Sequence, residues 1–189
     1  MNTLIIYKSK HGTGKEVAAY LQQKLCADLQ EADPALSWEG YERIVCVGSI
    51  YAGRLAKQLL ACIRANTKEL AGKSVGMLLC GMSDAAPEKI ITENLGEACY
   101  RQLAFTVNIG GRLDFQKLGF LERKIIRMVN KQEHLYEDKD AVLVDRLRWD
   151  TIDSVIAGQT HEAYAHQGSG GTDSSWRGRV CLSVLSDEA

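Results

Sequence analysis

The sequence predicts an α/β fold in which a doubly wound, five-stranded parallel sheet carries helices on both faces. Short apolar runs recur without polar gaps, and helical patterns separate them. Ungapped apolar runs are typical of strands buried on both faces, and the helices between them predict right-handed crossovers. The 189 residues, 46% hydrophobic and 25% charged, suit one globular domain with a sizeable core.

The first half of the chain predicts four strands and two helices. Thr3 to Tyr7 is apolar without a gap, whereas Val17, Ala18 and Leu21 recur at helical spacing. The expected elements are a strand at 3–7, a helix at 15–25, a weak strand at 26–29, strands at 43–49 and 73–81, and a helix at 56–70 between those last two.

The second half predicts three more helices and a further strand. Pro87 suits the first turn of a helix, which the apolar pattern continues to Ala98. The elements expected after it are a strand at 103–109, a basic helix at 118–131 and a last helix from about Asp150.

The apolar pattern fades after about Gly158, and a run of glycine and serine follows. We therefore expect a domain over 1–164 and a flexible tail over 165–189. Within the domain, the segment 112–149 is an insertion that contains the basic helix.

Composition and charge exclude several classes of function. A formal net charge of −1 gives no overall field that favours nucleic acid. The apolar runs are too short to cross a bilayer, and the first residues lack a signal-peptide pattern, so we expect a cytoplasmic protein. Six cysteines form no CxxC pair and four histidines form no cluster, so we expect buried thiols and no metal site.

The first strand runs into a short loop that leads directly into a helix. The loop reads Ser9-Lys10-His11-Gly12-Thr13-Gly14-Lys15. Free backbone N–H groups at a helix N-terminus form a site for phosphate. The loop has neither the spacing of a Walker A loop nor the third glycine of a Rossmann fingerprint, so a pattern of hydroxyl-x-x-Gly-hydroxyl remains.

This loop resembles the FMN-phosphate loop of flavodoxins, a Ser/Thr-x-Thr-Gly-x-Thr run. Ser9, Gly12 and Thr13 match that run, whereas His11 stands where a threonine is usual and Gly14 replaces the final hydroxyl residue. The resemblance implies that positive charge from His11 and the neighbouring lysines offsets the lost hydroxyl donors.

Two later loops strengthen the resemblance to flavodoxins. Residues 49–53 follow a strong strand and look like the loop that flanks the isoalloxazine ring, where a glycine and an aromatic lie close to a flat ring. Residues 81–86 fall where the family approaches the pyrimidine edge. The resemblance implies that FMN is bound by Ser9, Lys10, His11, Gly12, Thr13, Gly14, Ser49, Ile50, Tyr51, Ala52, Gly53, Gly81, Met82, Ser83 and Asp84.

Within this family, the chain is similar to the flavodoxin-like, menaquinone-dependent protoporphyrinogen IX dehydrogenases of bacterial haem synthesis. Residues 41–50, residues 109–113, the basic helix and Trp149-Asp150 carry that similarity. It implies an enzyme that oxidises protoporphyrinogen IX to protoporphyrin IX and reduces a quinone, with no catalytic residue beyond the flavin. Tyr51, Arg112 and Lys117 are the candidate substrate contacts.

Two other functions stay open. A flavodoxin-type electron carrier would dock on redox proteins, although such carriers usually have an acidic surface. An FMN-dependent quinone or NAD(P)H reductase would be reduced by NAD(P)H. The electron donor and acceptor, the redox potentials and any homo-oligomer also stay open.

The basic helix of the insertion allows two interpretations. The simpler is a surface helix packed on the sheet. The alternative is a helix that lies on the inner face of the cell membrane, where a quinone dissolves. Its apolar positions are Leu118, Leu121, Ile125, Met128 and Val129, and its basic positions are Lys117, Arg123, Lys124, Arg127 and Lys131.

Overall fold

The computed structural model describes residues 2–133, 135–137 and 141–158. Its main sheet contains β1 (Thr3–Lys8), β2 (Asp28–Glu31), β3 (Arg43–Tyr51), β4 (Arg54–Leu55), β5 (Ser74–Cys80) and β6 (Phe105–Asn108). Five of these strands are parallel in the order β2-β1-β3-β5-β6, and β4 pairs antiparallel with the end of β3. The predicted fold class is confirmed, with a switch point between β1 and β3.

Helices pack on both faces of the main sheet. On one face, α1 (Thr13–Leu25) and α6 (Trp149–Ile156) bury Leu21 and Ile152 against Val45. On the other, α2 (Lys57–Ala65) and α3 (Pro87–Leu95) bury Leu59 and Ile91 against Ile44. Because successive strand residues point to opposite faces, β1, β3 and β5 contribute to both cores.

Two predicted helices end earlier than the apolar pattern indicates. The helix expected at 56–70 ends at Ala65, because the Asn66 side chain donates to the carbonyl of Cys62 at 2.9 Å and a 3-10 helix (Thr67–Gly72) follows. The helix expected to reach Ala98 ends at Leu95, because Gly96 adopts φ +87° and ψ 158° before the short helix α4 (Glu97–Tyr100).

Between β6 and α6 the chain leaves the sheet and forms a smaller unit, here called the inserted segment (residues 112–145). In it, β7 (Arg112–Asp114) pairs antiparallel with β8 (Leu143–Asp145), and α5 (Phe120–Glu133) lies between them in the sequence. These three-residue strands are too short to show a pattern in the sequence. The predicted tail at 165–189 lies outside the described residues.

The simpler of the two interpretations of the basic helix, a helix packed on the sheet, is wrong. Most of the apolar face of α5 is exposed, including Leu121, Ile125 and Met128. Only Leu118, just before the helix, is buried, and Val129 is half-buried. Among the described residues, no helix is both long and apolar enough to cross a membrane.

Candidate functional site

The carboxyl ends of β1, β3 and β5 meet in one cleft, beside the turn that joins β6 to β7. Its enclosed part measures about 60 Å³ and brings all three predicted loops together. A wider depression of about 570 Å³ lies on the outer side of α1 beside Trp149, away from the strand ends. The cleft is lined by Ser9, His11, Thr13, Ser49, Ile50, Tyr51, Cys80, Gly81, Met82, Gly111, Arg112 and Leu113.

Ser9 organises the first loop, residues 9–15. Its Oγ accepts hydrogen bonds from the N–H groups of Gly12 and Gly14, each at 3.1 Å. Gly12 precedes α1 with φ +96°, a conformation that favours glycine. A Cβ at Gly14 would lie 3.3 Å from the Ser49 Oγ and 3.4 Å from the Ser9 Cβ, so there is little space for a side chain between the loop and β3. This contact gives a physical reason for glycine in place of the hydroxyl residue.

The same loop leaves backbone donors for an anion. Within the described part of the chain, the N–H groups of Lys10, His11, Thr13 and Lys15 have no protein acceptor. They surround the N-terminus of α1, where the helix dipole favours negative charge. The His11 Nε2 atom is also buried there without a hydrogen bond. This donor set fits a phosphate group.

A carboxylate of the inserted segment lies against this loop. One oxygen of Glu122 is 2.5 Å from the Lys10 Nζ and 3.3 Å from the His11 Nε2, in the second case without the alignment of a hydrogen bond. Its other oxygen accepts from the Gly119 N–H at 2.9 Å. Lys10, the Gly119 N–H and His11 lower the pKa of Glu122 to about 2. Sequence reasoning missed Glu122, since it lies 112 residues from Lys10.

Tyr51 ends β3 at the rim of the cleft, where the second loop turns into β4. Ala52 and Gly53 both have positive φ, as a two-residue hairpin turn requires. The Tyr51 ring meets the His11 imidazole edge-on, with the ring centroids 5.8 Å apart. Burial is the main cause that raises the pKa of Tyr51 to about 12, so its hydroxyl is neutral near pH 7.

Asn94, at the end of α3, fastens this turn to the body of the protein. Its Oδ1 accepts from the Leu55 N–H at 3.1 Å, and its Nδ2 donates to the Gly53 carbonyl at 2.9 Å. The same Nδ2 donates to the Ile90 carbonyl at 2.7 Å. Sequence reasoning missed Asn94, because a single polar residue in a helix gives no sign of a partner in another loop.

The third loop, residues 81–86, is fastened to the turn that joins β6 to β7. The Gly81 N–H donates to the Gly110 carbonyl at 2.9 Å, and Asn108 donates to the Ser83 carbonyl at 2.9 Å. A Cβ at Gly111 would lie only 2.9 Å from the Gly81 carbonyl carbon, so the two backbones are in contact. Among the described residues, the backbone N–H groups of residues 82, 83 and 84 have no protein acceptor, so they are available to donate to a ligand.

A family model described as a flavodoxin domain matches residues 4–140. The chain belongs to the flavodoxin domain family. No curated protein matches this flavodoxin domain.

Several solved structures are similar to this flavodoxin domain. Flavodoxin 1 from Bacillus cereus is 14% identical, with a TM-score of 0.45 over 73% of this chain and 100% of that one. A flavodoxin, WrbA-like protein from Agrobacterium tumefaciens is 16% identical, with a TM-score of 0.44 over 70% and 94%. A flavodoxin from Fusobacterium nucleatum, solved with flavin mononucleotide, is 19% identical, with a TM-score of 0.40 over 58% and 70%.

The two proposed substrate cations of this flavodoxin domain are both paired with carboxylates. Arg112 lines the cleft, but its guanidinium contacts Glu16 at 2.6 Å and Asp145 at 2.8 Å. Lys117 is exposed and lies 3.3 Å from an Asp114 carboxylate oxygen. The other predicted site residues that do not line the cavity are Lys10, Gly12, Gly14, Ala52, Gly53, Ser83 and Asp84.

Cys80 is a cleft residue of this flavodoxin domain that sequence reasoning did not include. It is the last residue of β5 and lies beside Ser49 in the sheet register. Burial is the main cause that raises the pKa of Cys80 to about 12, so it presents a neutral thiol. In the part of the chain that the structure describes, no group of three or more His, Cys, Asp or Glu residues is placed to hold a metal ion.

Proposed function

We propose that this chain is an FMN-binding oxidoreductase. The observation that carries the proposal is the meeting of three loops at the carboxyl ends of β1, β3 and β5, with unpaired N–H groups at the N-terminus of α1. Ligands of doubly wound sheets bind at this edge, at the switch point. When bound, FMN would supply the electron and hydride transfer, and the protein supplies position and electrostatics.

The residues of the cleft divide the binding of FMN among the three loops. The N–H groups of Lys10, His11 and Thr13, with the His11 Nε2, would hold the phosphate. The N–H groups of residues 82–84 would donate to the polar edge of the ring. The enclosed 60 Å³ is too small for a flavin ring system, so the ring would lie at the open rim beside Tyr51.

The finer proposal is that protoporphyrinogen IX is oxidised at this rim and a quinone is reduced. Two observations support this proposal. One is the sequence resemblance. The other is that, of the described residues that line the cleft, Tyr51 alone is a Phe, Tyr or Trp. A single aromatic covers one side of a flat ring and leaves the other open to a flat substrate. A porphyrinogen propionate at Arg112 would have to displace Glu16 or Asp145.

One observation favours a second candidate, an electron carrier that docks on redox proteins. The enclosed part of the cleft is too small to cover a flavin ring, so the ring edge would stay exposed to a docking protein. A carrier needs only an exposed flavin edge, whereas an enzyme for a large flat substrate needs the open rim to accept that substrate.

Anaerobic mixing of the FMN-loaded protein with protoporphyrinogen IX separates these candidates. The enzyme proposal expects loss of the flavin absorbance, followed by protoporphyrin fluorescence that continues while a quinone is supplied. Flavin that stays oxidised in this mixture would reject the porphyrinogen proposal. Rapid loss of the flavin absorbance with NAD(P)H alone would instead identify a quinone or NAD(P)H reductase. Release of FMN on denaturation tests the cofactor separately.

A further inference from the structure

The outer face of α5 presents large hydrophobic side chains to solvent. Phe120, Leu121, Ile125 and Met128 are 87%, 68%, 45% and 61% exposed. Single exposed hydrophobic residues are common on protein surfaces, but a continuous group on one helix face marks an interaction site.

Basic side chains border this hydrophobic stripe. At about 100° per residue, Leu121, Ile125 and Met128 fall within roughly 60° of the helix circumference, and the next sector contains the exposed side chains of Lys124, Arg127 and Lys131. The helix is therefore apolar and cationic on adjoining sectors of its exposed surface.

Glu122, an acidic residue of the first turn of this helix, points away from the basic sector. It contacts Lys10 and His11 of the first loop, so it does not neutralise the basic sector. Although the whole chain has a formal net charge of −1, this helix face is locally cationic.

We propose that this face of α5 binds the surface of an anionic lipid bilayer. A stripe of Leu, Ile and Met bordered by Lys and Arg is the arrangement with which helices lie in the headgroup region of membranes. Anionic headgroups attract each basic residue near the surface. The proposal does not depend on which redox reaction the cleft performs.

A second copy of this chain fits the face less well. Two α5 helices packed stripe to stripe would bring the same basic sectors together, and Glu122 is held by Lys10 and does not pair with them. Like charges held close in this way oppose association. Lipid headgroups supply the missing negative charge.

Membrane binding would also set the position of the cleft. Glu122 ties the inner side of α5 to the first loop, so the cleft lies about one helix diameter, roughly 10 Å, from the lipid. If the proposed function holds, an electron acceptor dissolved in the bilayer could reach the rim from that side.

Co-sedimentation of the full chain with vesicles tests the proposal without any redox assay. We expect binding to vesicles that contain phosphatidylglycerol, at least ten-fold weaker binding to phosphatidylcholine alone, and weakening by salt. The double variant Lys124→Glu/Arg127→Glu should lose binding at least ten-fold. Lys68→Glu/Lys89→Glu, which makes the same change at exposed lysines outside the inserted segment, should bind as the unchanged protein does.

A second pair of variants tests the hydrophobic stripe. Leu121→Ser/Met128→Ser should weaken vesicle binding while circular dichroism and the melting temperature stay unchanged, because both side chains are already exposed. The proposal is overturned if the unchanged protein does not bind phosphatidylglycerol vesicles, or if the two charge variants lose binding equally. It is also overturned if the serine variant dissociates a dimer without any effect on vesicles. A protein that fails to retain FMN but still binds vesicles would contradict the proposed function alone.

Discussion

The cleft at the strand ends and the inserted segment keep their shapes by different kinds of contact. In the cleft, backbone groups dominate: Ser9 accepts from two loop N–H groups, and the backbone of Gly111 lies against that of Gly81. The inserted segment is tied to the rest of the protein by charged side chains, through Glu122 to Lys10 and through Arg112 to Glu16.

This difference indicates how the two regions divide the function. Backbone donors and glycine contacts select for a ligand shape, a phosphate and a flat ring, and they tolerate change in most side chains. Ion pairs at a partly exposed surface contribute little stability and depend on salt. Changes of charge in the inserted segment should therefore have smaller effects on the cofactor site than changes in the backbone contacts of the cleft.

The largest expected effect is at the junction between the two regions, at Gly110. A Cβ there would lie 1.9 Å from the Arg146 carbonyl oxygen, and φ is +72°. Gly40 is the matched control, because its φ is +80° but no atom lies within 4 Å of its Cβ position. Gly40→Ala should cost about 1–2 kcal/mol of unfolding free energy from backbone strain alone.

Gly110→Ala should cost about 3 kcal/mol or more, because the backbone of one region must move away from that of the other. Urea denaturation of both variants measures the difference. Equal losses at the two positions would mean that the close approach of Arg146 to Gly110 contributes nothing, and the two regions would then be less tightly joined than the structure indicates.

The next effect lies within the cleft, at Gly12. Gly12→Asp and Gly12→Ala both place a side chain at φ +96°, and aspartate tolerates this conformation and the N-cap position better than alanine. The Gly12→Asp variant should therefore unfold at a higher denaturant concentration than the Gly12→Ala variant. FMN should nevertheless bind Gly12→Asp about ten-fold or more weakly than Gly12→Ala, because the carboxylate repels the phosphate. Flavin fluorescence titration gives both affinities, and equal values would reject the phosphate site.

A smaller effect is expected at Asn94, which holds the turn after Tyr51. Asn94→Ala removes the bonds to the Gly53 carbonyl and the Leu55 N–H, at about 0.5–1.5 kcal/mol each. FMN affinity should fall roughly ten-fold if Tyr51 loses its position at the ring. Gln102→Ala, which removes one exposed bond to Ala98, is the control. A loss of stability in Asn94→Ala with unchanged FMN affinity would show that the turn does not position the ring.

The difference between the cleft and the inserted segment also explains how much of the site the sequence could predict. The apolar runs that form β1, β3 and β5 specify the sheet, and Gly12 and Gly53 mark turns that need positive φ. The cleft follows from strand order, so its loops were predictable. Glu122 and Asn94 act on residues far along the chain, and nothing in their local sequence shows which residues they contact.

The exposed stripe of α5 was equally hidden, because helical spacing shows that a face is apolar and not whether another element covers it. Arg112 illustrates the same limit within the cleft. Its position beside the strand end was predicted, but the two carboxylates that hold it come from α1 and β8.

The smallest effect tests whether the two regions are coupled at the first loop. Glu122 holds Lys10 and places a negative charge close to the phosphate site. Glu122→Gln should therefore raise the affinity for FMN about two- to five-fold and leave the affinity for riboflavin, which has no phosphate, unchanged. Glu97→Gln, at an exposed pair with Arg101 outside the site, is the control.

The pH dependence of this effect has a defined sign. Because the pKa of Glu122 is lowered from 4.5 to about 2, its contact with Lys10 is complete above about pH 4.5 and is lost only as the pH falls through about 2. The gain in FMN affinity of the Glu122→Gln variant over the unchanged protein should therefore be constant from about pH 6 to 8 and should shrink at high salt. A gain shared by riboflavin would place the effect of Glu122 on the ring or on folding, and the inserted segment would then not sense the phosphate.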